Sequence, residues 1–415
     1  MIRLSLNVFT CLIMAVLFLA GCQPNAGDTN SVRLAGMQSV EIPSLHTRAE
    51  KLMYGKEWDN VQNFYGTNAA ALRENSSDWD ARLNLAELFI QEARVTGEHP
   101  YYYPAALKML EPLIAAKPEN KDIMFRALSH KASIMLSLHA FDKALQTAEQ
   151  AVTINPYNSY IYGCLVDANV ELGRYAKAVE YCDKMVSIRP DLRSYSRVSY
   201  LREIHGDIPG AIAAMEMAVK AGYPGFEQTE WARMQLGHLK EQTGNTKDAE
   251  KIYQTCITAR EDYPFAIAAL AKLESKKGNF KQAEDLFKQA IGIMPEIGFN
   301  IELAKLYQQT GRKDEAATLK QEIKTMFAED IAAGHNMSLE AGHFYLELMN
   351  DTGKALEFAR EEYRMRPDNI DVNALLAAIY AQTGDKTKAK EHLTKALVIN
   401  AAKPDMKVLK RQLAS

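Results

Sequence analysis

The fold is decided by the stretch Asn169-Val170-Glu171-Leu172-Gly173-Arg174-Tyr175-Ala176-Lys177-Ala178, because its pattern returns along most of the 415-residue chain. An alanine equivalent to Ala178 recurs at intervals of 33 to 39 residues. The nine positions are Ala106, Ala144, Ala178, Ala211, Ala249, Ala283, Ala316, Ala355 and Ala389. A period near 34 residues is typical of helical repeat arrays, in which each unit packs mainly on its neighbours.

The residues around each alanine predict where helices end and begin. A glycine usually stands five residues before it, and glycine suits the left-handed conformation that ends one helix and turns the chain into the next. These glycines are Gly173, Gly206, Gly244, Gly278, Gly311 and Gly384. A proline often follows twelve residues after the alanine, where it separates one unit from the next. The small alanine itself fits the place where two antiparallel helices cross.

This pattern resembles the tetratricopeptide repeat, in which two helices form a unit of about 34 residues. The resemblance covers residues 41–400 and predicts about ten units. They begin near Glu41, Trp79, Phe125, Ser159, Leu192, Glu230, Pro264, Ile297, Asn336 and Ile370. It implies an all-α superhelical solenoid in which the first helix of each unit lines a concave groove. No sustained alternation of β-branched residues predicts a strand.

The chain divides into five predicted segments. Residues 1–21 form a lipoprotein signal peptide, and residues 22–40, rich in small and polar residues, form a flexible tether. Residues 41–124 hold two degenerate repeats with an insertion at 95–103, and residues 125–400 form the regular solenoid. Residues 401–415 supply a capping helix, because the open end of a repeat stack needs a covering element.

The N-terminus carries the second strong signal. The apolar run from Val8 to Leu19 is shorter than the roughly 20 residues of a membrane-spanning helix and fits a secretory signal. The following Leu19-Ala20-Gly21-Cys22 resembles the lipobox of bacterial lipoproteins. That resemblance implies cleavage before Cys22 and acylation of Cys22, with palmitate among the acyl chains, and so a lipid anchor; the alternative is an ordinary secretory signal that contains a cysteine. Because Gln23 replaces the aspartate that retains enterobacterial lipoproteins at the inner membrane, the same resemblance favours the outer membrane, on its periplasmic or surface face.

The sequence offers little for catalysis, metals or cofactors. It has no phosphate-binding Gly-x-x-x-x-Gly-Lys loop, no Gly-x-Ser-x-Gly and no His-Glu-x-x-His. His335 and His343 are eight residues apart and could share a helical face, but two histidines at this spacing are a weak signal for a metal site. We therefore expect a non-enzymatic protein without cofactor or metal. The net charge of −3, with both signs interspersed, gives no basic stripe for nucleic acid. Cys164 and Cys182 fall on the two helices of one unit, as a disulfide or as two buried thiols.

The predicted groove contains one patch suited to a protein partner. It comprises Arg193, Tyr200, Trp231, Met234, His238 and Phe265. Aromatic residues with an arginine are typical of binding hot spots; the alternative is that Trp231 and Phe265 pack against neighbouring units. The family's carboxylate clamp needs lysine at position 5 and asparagine at position 9 of the unit, and this chain has neither there.

These features predict a non-catalytic, lipid-anchored scaffold or adaptor that binds envelope proteins or extended peptides. The alternative is an accessory lipoprotein of a nutrient-uptake system, such as polysaccharide utilisation. In that case the Tyr101-Tyr102-Tyr103 run, with Tyr200 and Trp231, would stack on sugars.

Overall fold

The computed structural model describes residues 40–400 and 404–414. In this part of the chain there are twenty α-helices, one short 3-10 helix (Glu50–Leu52) and no strand, which confirms the predicted all-α fold. The helices are α1 (Glu57–Glu74), α2 (Trp79–Thr96), α3 (His99–Ala116), α4 (Lys121–Ser137), α5 (Phe141–Ile154), α6 (Ser159–Glu171), α7 (Tyr175–Ile188), α8 (Leu192–Ile204), α9 (Ile208–Ala221), α10 (Glu227–Gln242), α11 (Thr246–Ala259), α12 (Pro264–Lys277), α13 (Phe280–Ile293), α14 (Ile297–Gln309), α15 (Lys313–Ala332), α16 (Ser338–Glu347), α17 (Thr352–Met365), α18 (Ile370–Gln382), α19 (Lys386–Ala396) and α20 (Pro404–Ala414). The signal peptide, Cys22 and nearly all of the tether lie outside the described residues.

Helices α2 to α19 form consecutive antiparallel pairs that stack into the predicted solenoid. The alanines that define the repeat are almost wholly buried, with exposures of 0% at eight positions and 3% at Ala316. A larger side chain at a crossing of this kind would force two helices apart. At the far end, α20 packs against α18 and α19 and buries Leu409 and Leu413.

The turn between the two helices of a unit uses a left-handed residue in every unit from the third to the tenth. The six glycines at this position have φ between 75° and 86°. In the two units without glycine, His139 and Asn350 adopt φ of 55° and 52°. The predicted left-handed turn is therefore confirmed, and it persists where the glycine is missing.

The N-terminal units depart from the regular pattern in two ways. Residues 95–103, which the sequence presents as an insertion, lengthen α2 and α3 to 18 residues each, with Gly97 at the turn. The first predicted unit, near Glu41, contains one α-helix, α1. Residues 40–56 before it have only the short 3-10 helix, and we call them the N-terminal strap.

The strap is held by a buried ion pair. Arg48, whose side chain is fully buried, donates from Nε and Nη2 to the Glu92 carboxylate of α2 at 2.7 and 2.5 Å. Its Nη1 donates to Glu57 of α1 at 2.7 Å. A few residues on, Leu52 packs in a core cluster with Ile267 of α12 and other residues of α12 to α15. The strap thus links the first repeats to repeats more than 200 residues later.

Successive turns of the solenoid touch along a line that we call the seam, defined by the pairs Tyr54–Ala259, His139–Asn336 and Tyr175–Ile370. The Tyr54 hydroxyl donates to the Ala259 carbonyl at 2.9 Å. His139 Nδ1 lies 2.8 Å from the Asn336 carbonyl oxygen, and the Ile370 N–H donates to the Tyr175 hydroxyl at 2.8 Å. The partners are 195 to 205 residues apart, about six 34-residue units. The seam therefore connects each turn of the solenoid to the next.

No helix among the described residues is long and apolar enough to cross a membrane.

Candidate functional site

The concave side contains a cavity of about 1230 Å³ that is open to solvent over part of its boundary. Its wall is formed mainly by α1 and by the first helix of each of six successive pairs, α2, α4, α6, α8, α10 and α12, with His99 of α3 and Met185 of α7. Sites for single small molecules usually measure about 300–1,000 Å³, so this cavity is large enough for a longer ligand.

Aromatic side chains lie along the wall of the cavity. They are Phe64, Phe125, Tyr160, Tyr200, Trp231 and Phe265. Tyr200 and Trp231 are 39% and 40% exposed, so a substantial part of each ring is free for contact. Phe265 also packs edge-on against Phe299, with ring centroids 5.5 Å apart. The wall therefore combines accessible rings with rings anchored in the core.

The structure separates the six residues of the predicted patch. Arg193, Tyr200, Trp231 and Phe265 line the cavity together. The other two do not. Met234 is only 6% exposed and packs in the core beside Tyr253 and Cys256. His238 instead lies with Nδ1 3.0 Å from the Tyr253 hydroxyl. Whether the patch binds a partner stays a prediction.

Sequence reasoning missed several lining residues that its own register indicates. The second residue of each unit from the third to the seventh lines the cavity. These residues are Arg126, Tyr160, Arg193, Trp231 and Phe265. Applying this position systematically would have added Arg126 and Tyr160. The repeat register does not indicate Phe64, because the first unit contains the single helix α1 instead of a helix pair.

The charged groups of the wall are partly neutralised by one another. Arg197 donates from Nε and Nη2 to the two Asp167 oxygens at 2.8 and 2.6 Å. Gly163 leaves room for this arginine, since a Cβ there would lie 3.0 Å from the guanidinium carbon. Arg193 lies over the Tyr160 ring, 5.4 Å from its centroid.

The cysteines are buried free thiols: Cys164, Cys182 and Cys256 form no disulfide. This resolves the two possibilities for Cys164 and Cys182 in favour of buried thiols. Burial raises the pKa of Cys164 to about 12 and that of Cys182 to about 11. Although Cys164 lines the cavity, its thiol is protonated at neutral pH and is a poor nucleophile.

The Tyr101-Tyr102-Tyr103 run is not a sugar platform, which corrects that part of the nutrient-uptake prediction. Tyr102 and Tyr103 are 0% and 3% exposed, because α3 turns them into the core between the N-terminal repeats. Tyr101 stacks on His46 of the strap with ring centroids 3.7 Å apart. None of the three tyrosine rings lines the cavity, so none can stack on a ligand bound there.

No group of three His, Cys, Asp or Glu side chains in the described part of the chain could hold a metal ion. His343 is paired with Glu347 at 3.0 Å, whereas His335 is buried against His139 and His99 at the seam. The two histidines do not form a common site.

Comparison with known proteins shows the fold. The model of the tetratricopeptide repeat family matches residues 161–192, 232–263 and 370–403. The chain is similar to human IFIT1, solved as a dimer with PPP-AAAA, at 16% identity over 83% of this chain and 77% of that one, with a TM-score of 0.50. It is also similar to the APC/C hetero-tetramer Cut9-Hcn1, at 14% identity over 88% of this chain and a TM-score of 0.47, and spans 61% of that chain's length. For Pseudomonas aeruginosa pilF, the identity is 14%, the coverage 51% of this chain and 95% of that one, and the TM-score 0.40. No curated protein matches the sequence significantly.

The fold is therefore a tetratricopeptide solenoid. Proteins built from these repeats are generally non-catalytic scaffolds that bind protein partners or peptides.

Proposed function

We propose that this protein is a non-catalytic scaffold that holds an extended segment of another protein in its cavity, at the bacterial envelope, anchored by lipidated Cys22. The observation that carries the proposal is the row of aromatic side chains along a cavity of about 1230 Å³. Tryptophan, tyrosine and arginine dominate the binding energy of protein interfaces, and all three occur here.

Two features favour a protein segment as the occupant. Most lining residues come from α1 and from the first helices of six successive pairs, so they form a continuous strip rather than a compact pocket. The rings of Tyr200 and Trp231 are accessible within this strip, on adjacent first helices α8 and α10. An extended chain can meet such anchors one after another with alternate side chains.

The binding proposal is tested by affinity capture from envelope extracts. Tyr200→Ala and Trp231→Ala should each reduce recovery of bound proteins several-fold, because a truncated hot-spot ring costs about 2 kcal/mol or more. Tyr157→Ala is the matched control, since Tyr157 is an aromatic residue 78% exposed and absent from the cavity wall. Equal recovery by all variants, with unchanged helicity, would contradict the proposal.

The anchor is tested by metabolic labelling with a palmitate analogue. Cys22→Ala should abolish the label and release the protein from the membrane fraction, because stable anchoring needs more than one acyl chain. Cys11→Ala is the control, since Cys11 lies within the segment that cleavage removes and its loss leaves the Leu19–Cys22 motif intact. Persistence of label and membrane association in Cys22→Ala would reject lipidation at this residue.

A further inference from the structure

Five linkers between helix pairs share one edge of the solenoid. The first helices of successive pairs contact one another and run in the same direction, because an antiparallel partner separates each from the next. Their N-terminal ends therefore lie at one edge. The linkers that lead into α2, α4, α6, α8 and α10 are residues 75–78, 117–120, 155–158, 189–191 and 222–226, and we call them the linker edge.

Later linkers rest on the preceding turn of the solenoid. The Asn336 carbonyl lies 2.8 Å from His139 Nδ1, and the Asp368 backbone lies against Gly173, about six units earlier in each case. The linker edge belongs to the first turn, and the described residues contain no earlier repeat on which it could rest. It therefore forms a free end of the array.

The most exposed aromatic side chains in the described part of the chain lie on this edge. Tyr157, Tyr223 and Phe226 are 78%, 77% and 67% exposed, and the next, Phe64 of the cavity wall, is 45% exposed. Tyr223 and Phe226 form a pair with ring centroids 6.2 Å apart. Apolar groups clustered in this way on a surface are typical of a site that binds a partner or a membrane.

The backbone that carries the paired rings is held from two sides. The Gly225 N–H donates to the Glu230 carboxylate at 2.9 Å, and the Gly225 carbonyl accepts from Arg260 Nη1 at 3.2 Å. Gly225 itself has φ of 85°, which suits glycine. The linker is therefore fixed in a conformation that presents Tyr223 and Phe226 to solvent.

The strap approaches the linker edge as it is followed back toward the N-terminus. Arg48 binds Glu57, the first residue of α1. Five residues earlier, the Pro43 carbonyl accepts from the hydroxyl of Tyr65, half-way along α1. Because α1 ends at the linker edge, the strap runs from the opposite edge toward it.

A second contact gives the same direction and brings Cys22 within reach. Glu41 pairs at 2.6 Å with Lys108, in the middle of α3, which also ends at the linker edge. The second half of α3 is only about 12 Å long. The 17 residues between Cys22 and Val40 can span at most about 60 Å. A lipid on Cys22 can therefore hold the linker edge at a membrane surface.

We propose that the linker edge docks on the phospholipid surface of the membrane that anchors Cys22, with the rings of Tyr157, Tyr223 and Phe226 at the level of the headgroups. This inference rests on the proposed lipid anchor. Tyrosine has an apolar body and a polar tip, which suits the boundary between headgroups and acyl chains, and the phenylalanine ring adds apolar area there.

The rings rather than the charges carry the docking. Exposed side chains of both signs occur on the edge, as at Lys117 and Glu119, and Arg189 is paired with Asp191 at 3.1 Å. We therefore expect the docking to occur on zwitterionic as well as on anionic phospholipids.

The test places an environment-sensitive dye on single cysteines of the full-length lipidated protein, reconstituted in vesicles of phosphatidylethanolamine and phosphatidylglycerol. Cys164, Cys182 and Cys256 are buried and do not compete for the dye. On Phe226→Cys the emission should shift to the blue, and quenching by aqueous iodide should be several-fold weaker than on the control. The matched control is Val408→Cys, an apolar residue of α20 that is 54% exposed at the other end of the array.

A second dye position leaves the rings in place. A dye on Glu119→Cys should also be protected in vesicles. Adding Tyr223→Ser and Phe226→Ser should restore its quenching several-fold without releasing the protein, because burial of one phenylalanine ring is worth about a tenfold change in an equilibrium constant. Both rings are exposed, so these substitutions leave the core intact.

The outcomes separate docking from anchoring. Equal quenching at positions 226 and 408, or protection at position 119 that survives both serine substitutions, overturns the docking and leaves the lipid anchor standing. Protection that disappears in phosphatidylcholine vesicles overturns the assignment to the aromatic rings. Failure of the wild type to float with vesicles overturns the anchor, and the docking with it.

Discussion

The left-handed turn residue shows how one position serves both the repeat and the seam. Gly173 and Gly244 occupy it in different units, with φ of 75° and 80°. A Cβ on Gly244 would meet nothing within 4 Å, whereas one on Gly173 would lie 2.5 Å from the Asp368 carbonyl group of the next turn. The same glycine signal in the sequence therefore has two physical reasons, and only the first, backbone conformation, is visible in the repeat pattern.

Replacing Gly244 and Gly173 by alanine should separate the cost of the left-handed conformation from the cost of the close approach to Asp368. Gly244→Ala should lower the free energy of unfolding by about 1–2 kcal/mol, the cost of a left-handed conformation for a residue with a Cβ. Gly173→Ala should cost about 1–3 kcal/mol more, because the new methyl group also displaces the backbone at Asp368. Urea denaturation of both variants measures the difference. Equal losses would mean that the close approach between turns contributes nothing.

His335 gives the seam a residue whose protonation opposes folding. Both of its ring nitrogens are buried without a hydrogen-bond partner, and the ring meets His139 edge-on at 4.6 Å. Burial, with smaller effects from His139 and His99, lowers its pKa to about 3. In the unfolded chain His335 binds a proton below a pKa near 6.5, whereas in the folded chain it stays neutral down to about pH 3. Stability contributed by the neutral ring is thus complete above pH 6.5 and lost as the pH falls toward 3.

His335→Leu should remove this dependence. At pH 7 the variant should be more stable by about 1 kcal/mol, because an unsatisfied buried polar group is replaced by an apolar one. Its advantage over the wild type should grow between pH 6.5 and pH 5. Glu296, whose pKa burial raises to about 7, is present in both proteins and cancels in the difference. Asp330, whose pKa burial raises to about 6, lies 4.0 Å from His335 Nδ1, so both proteins are compared with Asp330→Asn in place. Unfolding curves at pH 7, 6 and 5 with a constant difference would contradict the assignment.

At the scale of elements, the paired helices were predictable and the strap was not. The helix pairs follow from local signals, namely the turn glycine, the small alanine and the separating proline, which recur in each unit. The strap lacks those signals. Gly55, at the end of the strap, has φ of 53°. The conformation of the strap depends on distant groups such as Glu92 and Tyr102, which bind Arg48 and the His46 N–H. Such contacts leave no periodic trace, so a helix pair near Glu41 was a reasonable but incorrect expectation for these residues.

The strap is expected to depend on Arg48. Arg48→Ala leaves the fully buried Glu92 carboxylate without its partner and should cost about 3–5 kcal/mol of unfolding free energy. The double variant Arg48→Met with Glu92→Leu should recover most of the loss, because apolar side chains of similar volume replace the pair. Lys51→Ala, at an exposed strap residue, is the control and should change stability by less than about 0.5 kcal/mol. Chemical denaturation compares all four proteins, and a loss for Arg48→Ala no larger than the control's would show that the pair is not structural.

At the scale of the whole molecule, the seam changes what kind of solenoid this is. Repeat arrays are usually held by contacts between neighbouring units only. Here hydrogen bonds also join residues 195 to 205 positions apart, so successive turns of the solenoid contact each other. The repeat register predicted four lining residues of the candidate site, because lining depends on position within a unit. It could not predict the seam, since contacts between residues 195 to 205 positions apart leave no trace in a pattern with a period of about 34 residues.

Arg366 is the place to test whether the turns stabilise one another. It lies at the end of α17 and binds Glu362 on the same helix and Glu171 on α6, while its guanidinium covers the Phe141 ring at 4.7 Å. Arg366→Met keeps the length of the stem but leaves the buried Glu362 carboxylate without a cation, with the Asn336 amide still donating to it at 2.8 Å, and should cost about 3 kcal/mol. Because Glu171 and Phe141 belong to the earlier turn, amide hydrogen exchange should accelerate in α6 and α7 as well as in α17 and α18.

The control is Arg312→Met. Arg312 also binds a nearly buried carboxylate, Glu284, at 2.7 Å, but both residues lie within the same turn. Its loss should accelerate exchange in α13 to α15 and leave α6 and α7 unchanged. If Arg366→Met accelerated exchange only in α17 and α18, the contacts between turns would not stabilise the earlier turn.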